Sequence, residues 1–370
     1  MGRLLVLSSG FWKDNSINPS GAILQTYYAA RFAAERGWEV DYVTFTRDGD
    51  RWLRVLEQDG MRVHYLKPRR PDIAALPGLL KYASRIPFQV VYQRGRSWLT
   101  FAAGLLARRK RARFVWASSA QEGLERSKMI RKLWKSRRSP LRKFILSPLF
   151  LIEDALMRRG ISMADVIVVQ NEYQASRARE LWGRRPVVII PNMQPEVEGY
   201  PAKRRPVKVV WVGTLTPWKR PEVFLEIARR LGEGFQYYMA GGGDASLISG
   251  HERIPGFRYL GRISSDEVNE LLEGAWFIVN TSVGEGIPNA VIQGAMRGAV
   301  PISMNEDYGF LPPSLVVKSV EGVVELIRRL SSDVDEYRKL SMELFEKARR
   351  VFGYRVNGEK LMKVFSGEIP

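Results

Sequence analysis

One stretch decides the fold class of this chain, and it reads Asn280-Thr281-Ser282-Val283-Gly284-Glu285-Gly286-Ile287-Pro288-Asn289-Ala290-Val291-Ile292-Gln293. The apolar run from Trp276 to Val279 before it predicts a buried strand, and a second apolar run, 299–302, follows. Between them, Pro288 is expected at the first position of a helix and Gly298 just past its end. The N–H groups and positive dipole of such a helix start suit a phosphate. The stretch therefore predicts a strand–turn–helix unit of an α/β domain, although that unit alone does not require Glu285 at its turn.

Similar units lie upstream. The β-branched run Val207–Val212 predicts a strand, and it is followed by the turn Gly213-Thr214-Leu215-Thr216-Pro217-Trp218-Lys219-Arg220-Pro221. A helical period comes next, with its apolar face formed by Val223, Phe224, Ile227, Ala228 and Leu231. Two further predicted strands end in glycine-containing loops, Gly241-Gly242-Gly243 and Gly261-Arg262-Ile263, and Ser264 with Glu267 predicts a capping box.

In their order and spacing, these segments resemble the signature of retaining family-4 glycosyltransferases with the GT-B fold. The resemblance covers nearly the whole chain and is carried mainly by residues 207–305. That family has two Glu residues with seven residues between them, and the two Glu residues bracket the donor sugar and the ribose of the nucleotide. Here Glu285 holds the first position and Gln293 the second. The family also has a Lys after the first strand of its C-terminal domain, and Lys219 stands in that place.

The fold implied by the resemblance is α/β, with two Rossmann-like, doubly wound parallel-sheet domains facing across a cleft. Residues 1–195 would form the N-terminal acceptor-binding domain and 206–350 the nucleotide-sugar donor domain. A C-terminal helix within 351–370 would pack back on the N-terminal domain. Alternating strand and helix patterns in the first half independently favour a doubly wound sheet, and they include predicted helices over Trp52–Gln58 and Glu122–Lys135.

The resemblance also implies the site residues. Lys219 would neutralise charge on the leaving diphosphate, and Glu285 would bind the hydroxyls of the donor sugar, so both are expected to be catalytic. The implied substrate-binding residues lie in the loops after the strands: Ser20, Gly21, Arg94, Gly213, Thr214, Arg220, Gly242, Arg262, Ile263, Gly286, Ile287, Pro288, Asn289 and Gln293. A structural role fits Arg94 equally well.

Gln293 is the main departure from the family pattern. Gln is nearly isosteric with Glu and keeps an acceptor oxygen, so we expect transfer activity to survive. The alternative is a catalytically inactive protein that binds nucleotide-sugars, or a basic protein that binds a membrane or nucleic acid. The expected reaction moves a sugar from a UDP- or GDP-sugar to a glycan or lipid-linked acceptor, with retention of configuration and without another cofactor. Two Asp-x-Asp patterns, Asp48-Gly49-Asp50 and Asp333-Val334-Asp335, are compatible with a metal ion, but the resemblance favours a metal-independent enzyme.

The charge of the chain is strongly basic and uneven. Among 370 residues, 58 are basic and 39 acidic, which gives a net charge of +19. Basic residues crowd the segment 126–145, where Trp134, Phe144 and other apolar residues lie between them. Such a segment suits an anionic membrane surface. A solvated basic helix face is the plain alternative, and nucleic acid is not expected as a partner.

The remaining composition narrows the class of protein. The chain has no cysteine and only His64 and His251, which excludes disulfides and thiolate chemistry and argues against histidine-rich metal sites. No apolar run approaches the length of a membrane-spanning helix, and the first residues read as a strand rather than a signal peptide. We therefore expect a cytoplasmic protein, peripheral on the inner face of the membrane, that makes a polysaccharide or glycolipid. An Arg excess over Lys agrees with a thermophilic source.

Overall fold

A computed structural model of the chain describes residues 2–14, 20–69, 72–120, 123–136, 139–183, 185–283, 287–305 and 309–369. It contains two compact units. The first unit comprises 1–193 together with 355–370, and the second comprises 194–354. Each unit has its own parallel sheet and hydrophobic core, so the α/β fold class predicted from the sequence is confirmed.

The sheet of the first unit has eight strands within the described residues, in the spatial order β3-β4-β2-β1-β5-β6-β7-β8. All neighbours in it are parallel except β3 and β4. In chain order the strands are β1 (Arg3–Leu7), β2 (Glu39–Phe45), β3 (Val55–Gln58), β4 (Met61–Leu66), β5 (Val90–Arg94), β6 (Arg113–Ala117), β7 (Val166–Val169) and β8 (Val187–Ile189). The strands are mostly apolar on both sides because helices cover both faces of such a sheet.

The helices assigned to this unit are α1 (Gly21–Glu35), α2 (Leu76–Ala83), α3 (Trp98–Lys110), α4 (Lys128–Lys135), α5 (Pro140–Ile161), α6 (Glu172–Trp182) and α12 (Tyr354–Ser366). The last of them returns from the second unit to pack on the first. In α12, Gly358 lies directly against the ring of Phe32, and Phe365 contacts the rings of Trp38 and Tyr92. These contacts bury the apolar side of α12 in the first unit.

The helix predicted over Trp52–Gln58 is wrong, because Val55–Gln58 forms the edge strand β3, antiparallel to β4. Asp59 and Gly60 join the two strands, and their φ angles of +51° and +74° are those of a tight hairpin turn. Asp-Gly is a strong hairpin signal, and it outweighs the helical spacing of the residues before it.

The helix predicted over Glu122–Lys135 is also too long, since α4 begins only at Lys128. Its start is set by Asp154 of α5, whose carboxylate accepts hydrogen bonds from the amides of Met129 and Ile130, all at 3.0 Å. Residue 122 lies outside the described residues. The N-cap residue Ser127 makes no side-chain capping bond, and a carboxylate from another helix serves the first amides of α4 instead.

The sheet of the second unit has five parallel strands within the described residues, in the order β11-β10-β9-β12-β13. They are β9 (Val207–Val212), β10 (Phe235–Ala240), β11 (Phe257–Tyr259), β12 (Phe277–Asn280) and β13 (Val300–Ser303). The helices are α7 (Pro221–Leu231), α8 (Ser265–Glu273), α9 (Asn289–Ala295), α10 (Val320–Ser332) and α11 (Val334–Phe352). No helix among the described residues is long and apolar enough to span a membrane.

Several local predictions hold in this unit. The capping box of Ser264 and Glu267 opens α8, with Glu267 N–H donating to Ser264 Oγ at 3.2 Å. Asp333, which belongs to the second Asp-x-Asp pattern, caps α11 by accepting from Glu336 N–H at 2.8 Å. One position shifts by a residue: Pro288 is the N-cap of α9 rather than its first helical residue, and α9 ends at Ala295. Gly298 follows the turn after α9 with a φ of +70°.

Candidate functional site

The strand order of the second unit creates a place where a ligand can bind. From β9 the chain builds outward through β10 to β11, and then crosses to the other side of β9 to form β12 and β13. The loops after β9 and β12 therefore leave the sheet in opposite directions. In open parallel sheets, ligands bind in the crevice outside the carboxyl ends of the strands at such a switch point. Lys219 and Arg220 follow β9, and the stretch 281–289 follows β12.

A buried threonine, Thr281, joins these two loops. Its Oγ1 accepts a hydrogen bond from Trp211 Nε1 at 2.9 Å and donates to the carbonyls of Lys219 and Arg220, at 2.6 and 3.0 Å. Thr281 is completely buried. One hydroxyl thus accepts from an indole N–H and shares its single hydrogen between two neighbouring backbone carbonyls, and it fixes the backbone at Lys219. Thr281 is not among the site residues predicted from the sequence, although the polar run Asn280-Thr281-Ser282 at the end of a buried strand is a signal for such a residue.

Arg220 lies in the left-handed region, with φ +48° and ψ +56°, directly before Pro221 opens α7. Its Nε donates to the Thr281 carbonyl at 2.6 Å, and nearby the amide of Val283 donates to the Trp218 carbonyl at 2.9 Å. A non-glycine residue in this region costs about 1–3 kcal/mol and persists where its surroundings fix it, often at functional sites. The predicted site residue Arg220 therefore also holds the loop in shape.

The glycine loop after β10 runs beside the loop after β9. Leu215 N–H donates to the Gly242 carbonyl at 3.0 Å, and Asp244 N–H donates to the Leu215 carbonyl at 3.0 Å. At Gly241, with φ +143°, a Cβ atom would stand 1.7 Å from the carbonyl oxygen of Gly213. Only glycine permits this approach, so Gly213, Thr214 and Gly242 are brought together at one edge of the sheet.

The loop after β11 joins the same edge. Gly241 N–H donates to the Gly261 carbonyl at 2.7 Å, which ties the third loop to the second. The guanidinium of Arg262 lies across Gly242, 3.2 Å from the position that a Cβ there would occupy. Arg262 is exposed and Ile263 half-buried. The structure thus brings together Gly242, Arg262 and Ile263, which the resemblance assigned to substrate binding.

The residues after β12 are only partly described. Glu285 and Gly286, two predicted site residues, lie outside the described residues. Ile287, Pro288 and Asn289 are half-buried at the start of α9. Gln293 lies one turn into α9 and is 7% exposed, and its carbonyl accepts a hydrogen bond from Arg297 at 3.4 Å. Gln293 is therefore not an exposed surface residue of α9.

Two ionisable groups of this unit, one at each edge of its sheet, have shifted pKa values. Burial lowers the pKa of the Lys203 ammonium to about 7, although Glu273 acts in the opposite direction. Lys203 Nζ donates to the carbonyls of Glu273 and Arg297, at 2.7 and 2.5 Å, and so fastens the far ends of α8 and α9. After the glycine loop, the hydroxyl and amide of Ser246 lower the pKa of the Asp244 carboxyl.

The predicted site residues of the first unit lie at the carboxyl edge of its own sheet. Ser20 is the N-cap of α1, with its Oγ accepting from Ile23 N–H at 3.4 Å, and Gly21 is the first residue of that helix. Arg94 ends β5, the strand beside β1, and donates to the Asn192 side chain at 2.6 Å. This contact gives Arg94 a structural partner, the alternative that its sequence position left open.

The acidic pairs have local roles. Asp48 caps a short 3₁₀ helix by accepting from Asp50 N–H at 3.1 Å, and it pairs with Arg51 at 3.0 Å. Among the residues that the structure describes, no group of three or more His, Asp or Glu side chains is placed to hold a metal ion.

Solved structures of similar fold match the chain over nearly its full length. Sucrose-phosphate synthase of Thermosynechococcus elongatus has a TM-score of 0.77 and 14% identity, covering 100% of this chain and 99% of its own. Anabaena HepE in complex with UDP and glucose has a TM-score of 0.73 and 11% identity, covering 99% and 100%. A mutant of S. aureus TarM in complex with Fondaparinux, α-GlcNAc-glycerol and UDP has a TM-score of 0.69 and 11% identity, covering 99% and 100%.

Family models identify the chain more directly. No curated protein sequence matches it. Two models match in succession, "Glycosyl transferase 4-like domain" over residues 20–193 and "Glycosyl transferases group 1" over residues 206–333. Their order is that of the two units, and the solved structures share the two-sheet architecture. The chain therefore belongs to the group 1 glycosyltransferases with the GT-B fold.

Proposed function

We propose that the protein transfers a glycosyl unit from a nucleotide-sugar to a glycan or lipid-linked acceptor, with retention of configuration and without a metal ion. The observation that carries the proposal is the hydrogen-bonded turn at Lys219 and Arg220, held by Thr281 at the switch point of the second sheet. Departure of a nucleoside diphosphate places negative charge on oxygen. Groups fixed in advance where that charge develops stabilise the transition state, and a positioned ammonium is such a group.

The proposed roles divide among the loops of this unit. Lys219 neutralises the diphosphate, helped by backbone N–H groups before α9, of which Pro288 supplies none. Glu285 binds the hydroxyls of the donor sugar, a role that rests on the sequence resemblance. Gly242, Arg262 and Ile263 surround the base and ribose, and Gln293 accepts from the ribose hydroxyls. UDP in the HepE and TarM complexes supports a UDP-sugar as donor, with a GDP-sugar as the second choice.

The proposed acceptor is lipid-linked, for a reason that lies in the first unit. The sequence from 126 to 145 holds nine basic residues and no acidic one. A basic segment of this kind is attracted to the anionic surface of a membrane, about 1 kcal/mol for each basic residue near it. We propose that the enzyme works from the cytoplasmic side on such a surface, where it builds a polysaccharide or glycolipid.

Calorimetry with UDP, GDP and their sugar conjugates tests the donor assignment, followed by transfer assays with Lys219→Ala. We expect one donor to bind selectively, and Lys219→Ala to lower the transfer rate by about 10²–10³-fold with little change in the unfolding midpoint. Lys339→Ala, at an exposed lysine of α11, is the matched control and should behave as the wild type. Full activity in Lys219→Ala would sink the assignment.

A second candidate, an inactive nucleotide-sugar-binding protein, is kept because Gln293 replaces the second Glu of the family pattern. The two functions differ in a single-turnover experiment with saturating donor. Transfer or slow hydrolysis of the bound donor excludes the inactive protein. Donor binding without turnover, restored to turnover by Gln293→Glu, would favour it.

A further inference from the structure

The first half of α5 exposes an unusual number of large apolar side chains. Six of them are between 53% and 75% exposed: Leu141, Phe144, Ile145, Leu149, Leu151 and Ile152. Scattered single exposed apolar residues are normal on a protein surface, but a contiguous set marks an interaction site. We call these six residues the α5 stripe.

Helical geometry places the α5 stripe on one side of the helix. Positions 141, 144, 145, 149 and 152 follow the spacing of three and four residues that defines one helical face. The opposite side is the one that packs on the protein. It carries the half-buried Leu146 and Phe150, and further along the buried Met157 and Ile161. The α5 stripe is therefore not the packing side of the helix, and it points away from the first unit.

The surroundings of the α5 stripe are basic. From Arg126 to Ile152 the sequence has nine basic residues and no acidic one. Arg142 is exposed on α5 itself, and Lys143 Nζ donates to the Trp134 carbonyl at 2.9 Å, which ties the end of α4 to α5. The Trp134 side chain is 53% exposed beside them. An apolar stripe, a tryptophan and flanking cations form the pattern of helices that lie in the interface of anionic membranes.

We infer that the first half of α5 lies flat in the interface of an anionic lipid bilayer, with the α5 stripe among the acyl chains and Arg142 at the headgroups. The partner is a lipid surface because every charged residue of the sequence from 126 to 152 is basic. A second copy of this chain would bring the same positive charge against it. The inference deepens the proposed function, since it rests on an acceptor carried by a membrane.

The experiment measures cosedimentation of the full chain with vesicles of pure phosphatidylcholine and of phosphatidylcholine with about one third phosphatidylglycerol. We expect binding to the anionic vesicles only. The triple variant Leu141→Ser/Phe144→Ser/Ile145→Ser should bind them at least about tenfold more weakly, because the buried apolar area drives insertion. Val334→Ser/Met342→Ser/Val356→Ser, which removes three exposed apolar residues elsewhere, is the matched control and should bind as the wild type.

Three results would overturn the inference. The first is that the stripe variant binds anionic vesicles as well as the wild type does, and the second is that the wild type binds both kinds of vesicle equally. The third is that the wild type forms a dimer in solution, the stripe variant does not, and neither protein binds vesicles. Nucleotide binding, measured in the same samples, separates this inference from the donor assignment. If the stripe variant binds vesicles as the wild type does and UDP still binds, only the membrane inference is lost. If no nucleotide binds while vesicle binding needs the stripe, only the proposed donor chemistry is lost.

Discussion

Two regions of the molecule differ in how their positions are fixed. At the carboxyl edge of the second sheet, many short local contacts act together: Thr281 bonds to three backbone or indole groups, and Gly241 permits the approach of Gly213. In the α4–α5 region of the first unit, one buried side chain, Asp154, pairs with Arg96 at 2.9 Å and also caps α4. The comparison indicates that the proposed donor site is fixed by hydrogen bonds among its own loops, whereas in the α4–α5 region one buried carboxylate serves both as helix cap and as counter-charge.

The largest expected effect breaks the glycine contacts of the second unit. Gly241→Ala places a methyl group within 1.7 Å of a backbone oxygen, so the loops after β9 and β10 must separate. We expect a loss of at least about 4 kcal/mol in the free energy of unfolding. Gly234→Ala is the control, because Gly234 also has a positive φ but has no atom within 4 Å of the added methyl. Urea unfolding compares them, and equal losses would refute the steric argument.

The next effect removes the buried carboxylate of Asp154, which caps α4 and pairs with Arg96. Asp154→Ala leaves Arg96, whose side chain is completely buried, without its counter-charge, and it uncaps α4. We expect a loss of about 3–5 kcal/mol, which denaturant unfolding measures. The double variant Arg96→Leu/Asp154→Leu should be less destabilised than Asp154→Ala, because no uncompensated charge remains. A double variant as unstable as the sum of both single leucine variants would contradict the pairing.

A smaller effect is expected at the hydroxyl that joins the loops after β9 and β12. Thr281→Val keeps the shape but leaves Trp211 Nε1 and two carbonyls without that partner. We expect a loss of about 1–3 kcal/mol in stability and weaker nucleotide binding, because Lys219 is no longer fixed. Thr281→Ser, which retains the hydroxyl, should recover most of both. If Thr281→Ser recovers neither the stability nor the nucleotide binding, the methyl group of Thr281 matters and the hydroxyl does not.

The smallest effect concerns pH and lies on the first sheet. Burial would raise the pKa of Asp41, but hydrogen bonds from His64 at 2.7 Å and Arg62 at 2.8 Å outweigh it and lower that pKa. The stabilisation by the charged carboxylate is therefore full above the pKa of an unfolded Asp, about 3.9, and is lost as pH falls through the lower folded value. Unfolding free energies across this range should fall less steeply in Asp41→Asn. Parallel curves of unfolding free energy against pH for the wild type and Asp41→Asn would contradict this role of Asp41.

The sequence predicts best what depends on neighbouring residues. The strand Val207–Val212 begins and ends as predicted, because its β-branched run and the turn residues after it are local signals. The capping box at Ser264 is equally local. The Asp59-Gly60 turn is a local signal too, and the helix predicted over Trp52–Gln58 is wrong because this turn folds Val55–Gln58 back as a strand.

What the sequence could not predict depends on partners far along the chain. Arg96 and Asp154 are separated by 58 residues, and nothing near either one indicates the other. The hydroxyl of Thr281 finds its partners 61 to 70 residues away. In α5 the apolar residues cover more than one face and Pro148 interrupts the pattern, so periodicity alone does not tell which side packs. Only the folded unit distinguishes the packing side from the α5 stripe.

The carboxylate of Asp154 has a consequence for the dynamics of the first unit. Amides in the first turn of a helix usually exchange their hydrogens quickly with solvent, because they lack a partner within the helix. Those of Met129 and Ile130 instead donate to a side chain of another helix that is nearly completely buried. Their exchange therefore requires α4 and α5 to separate. Slow exchange at these two amides would report directly how often that separation occurs, both in free solution and on a membrane surface.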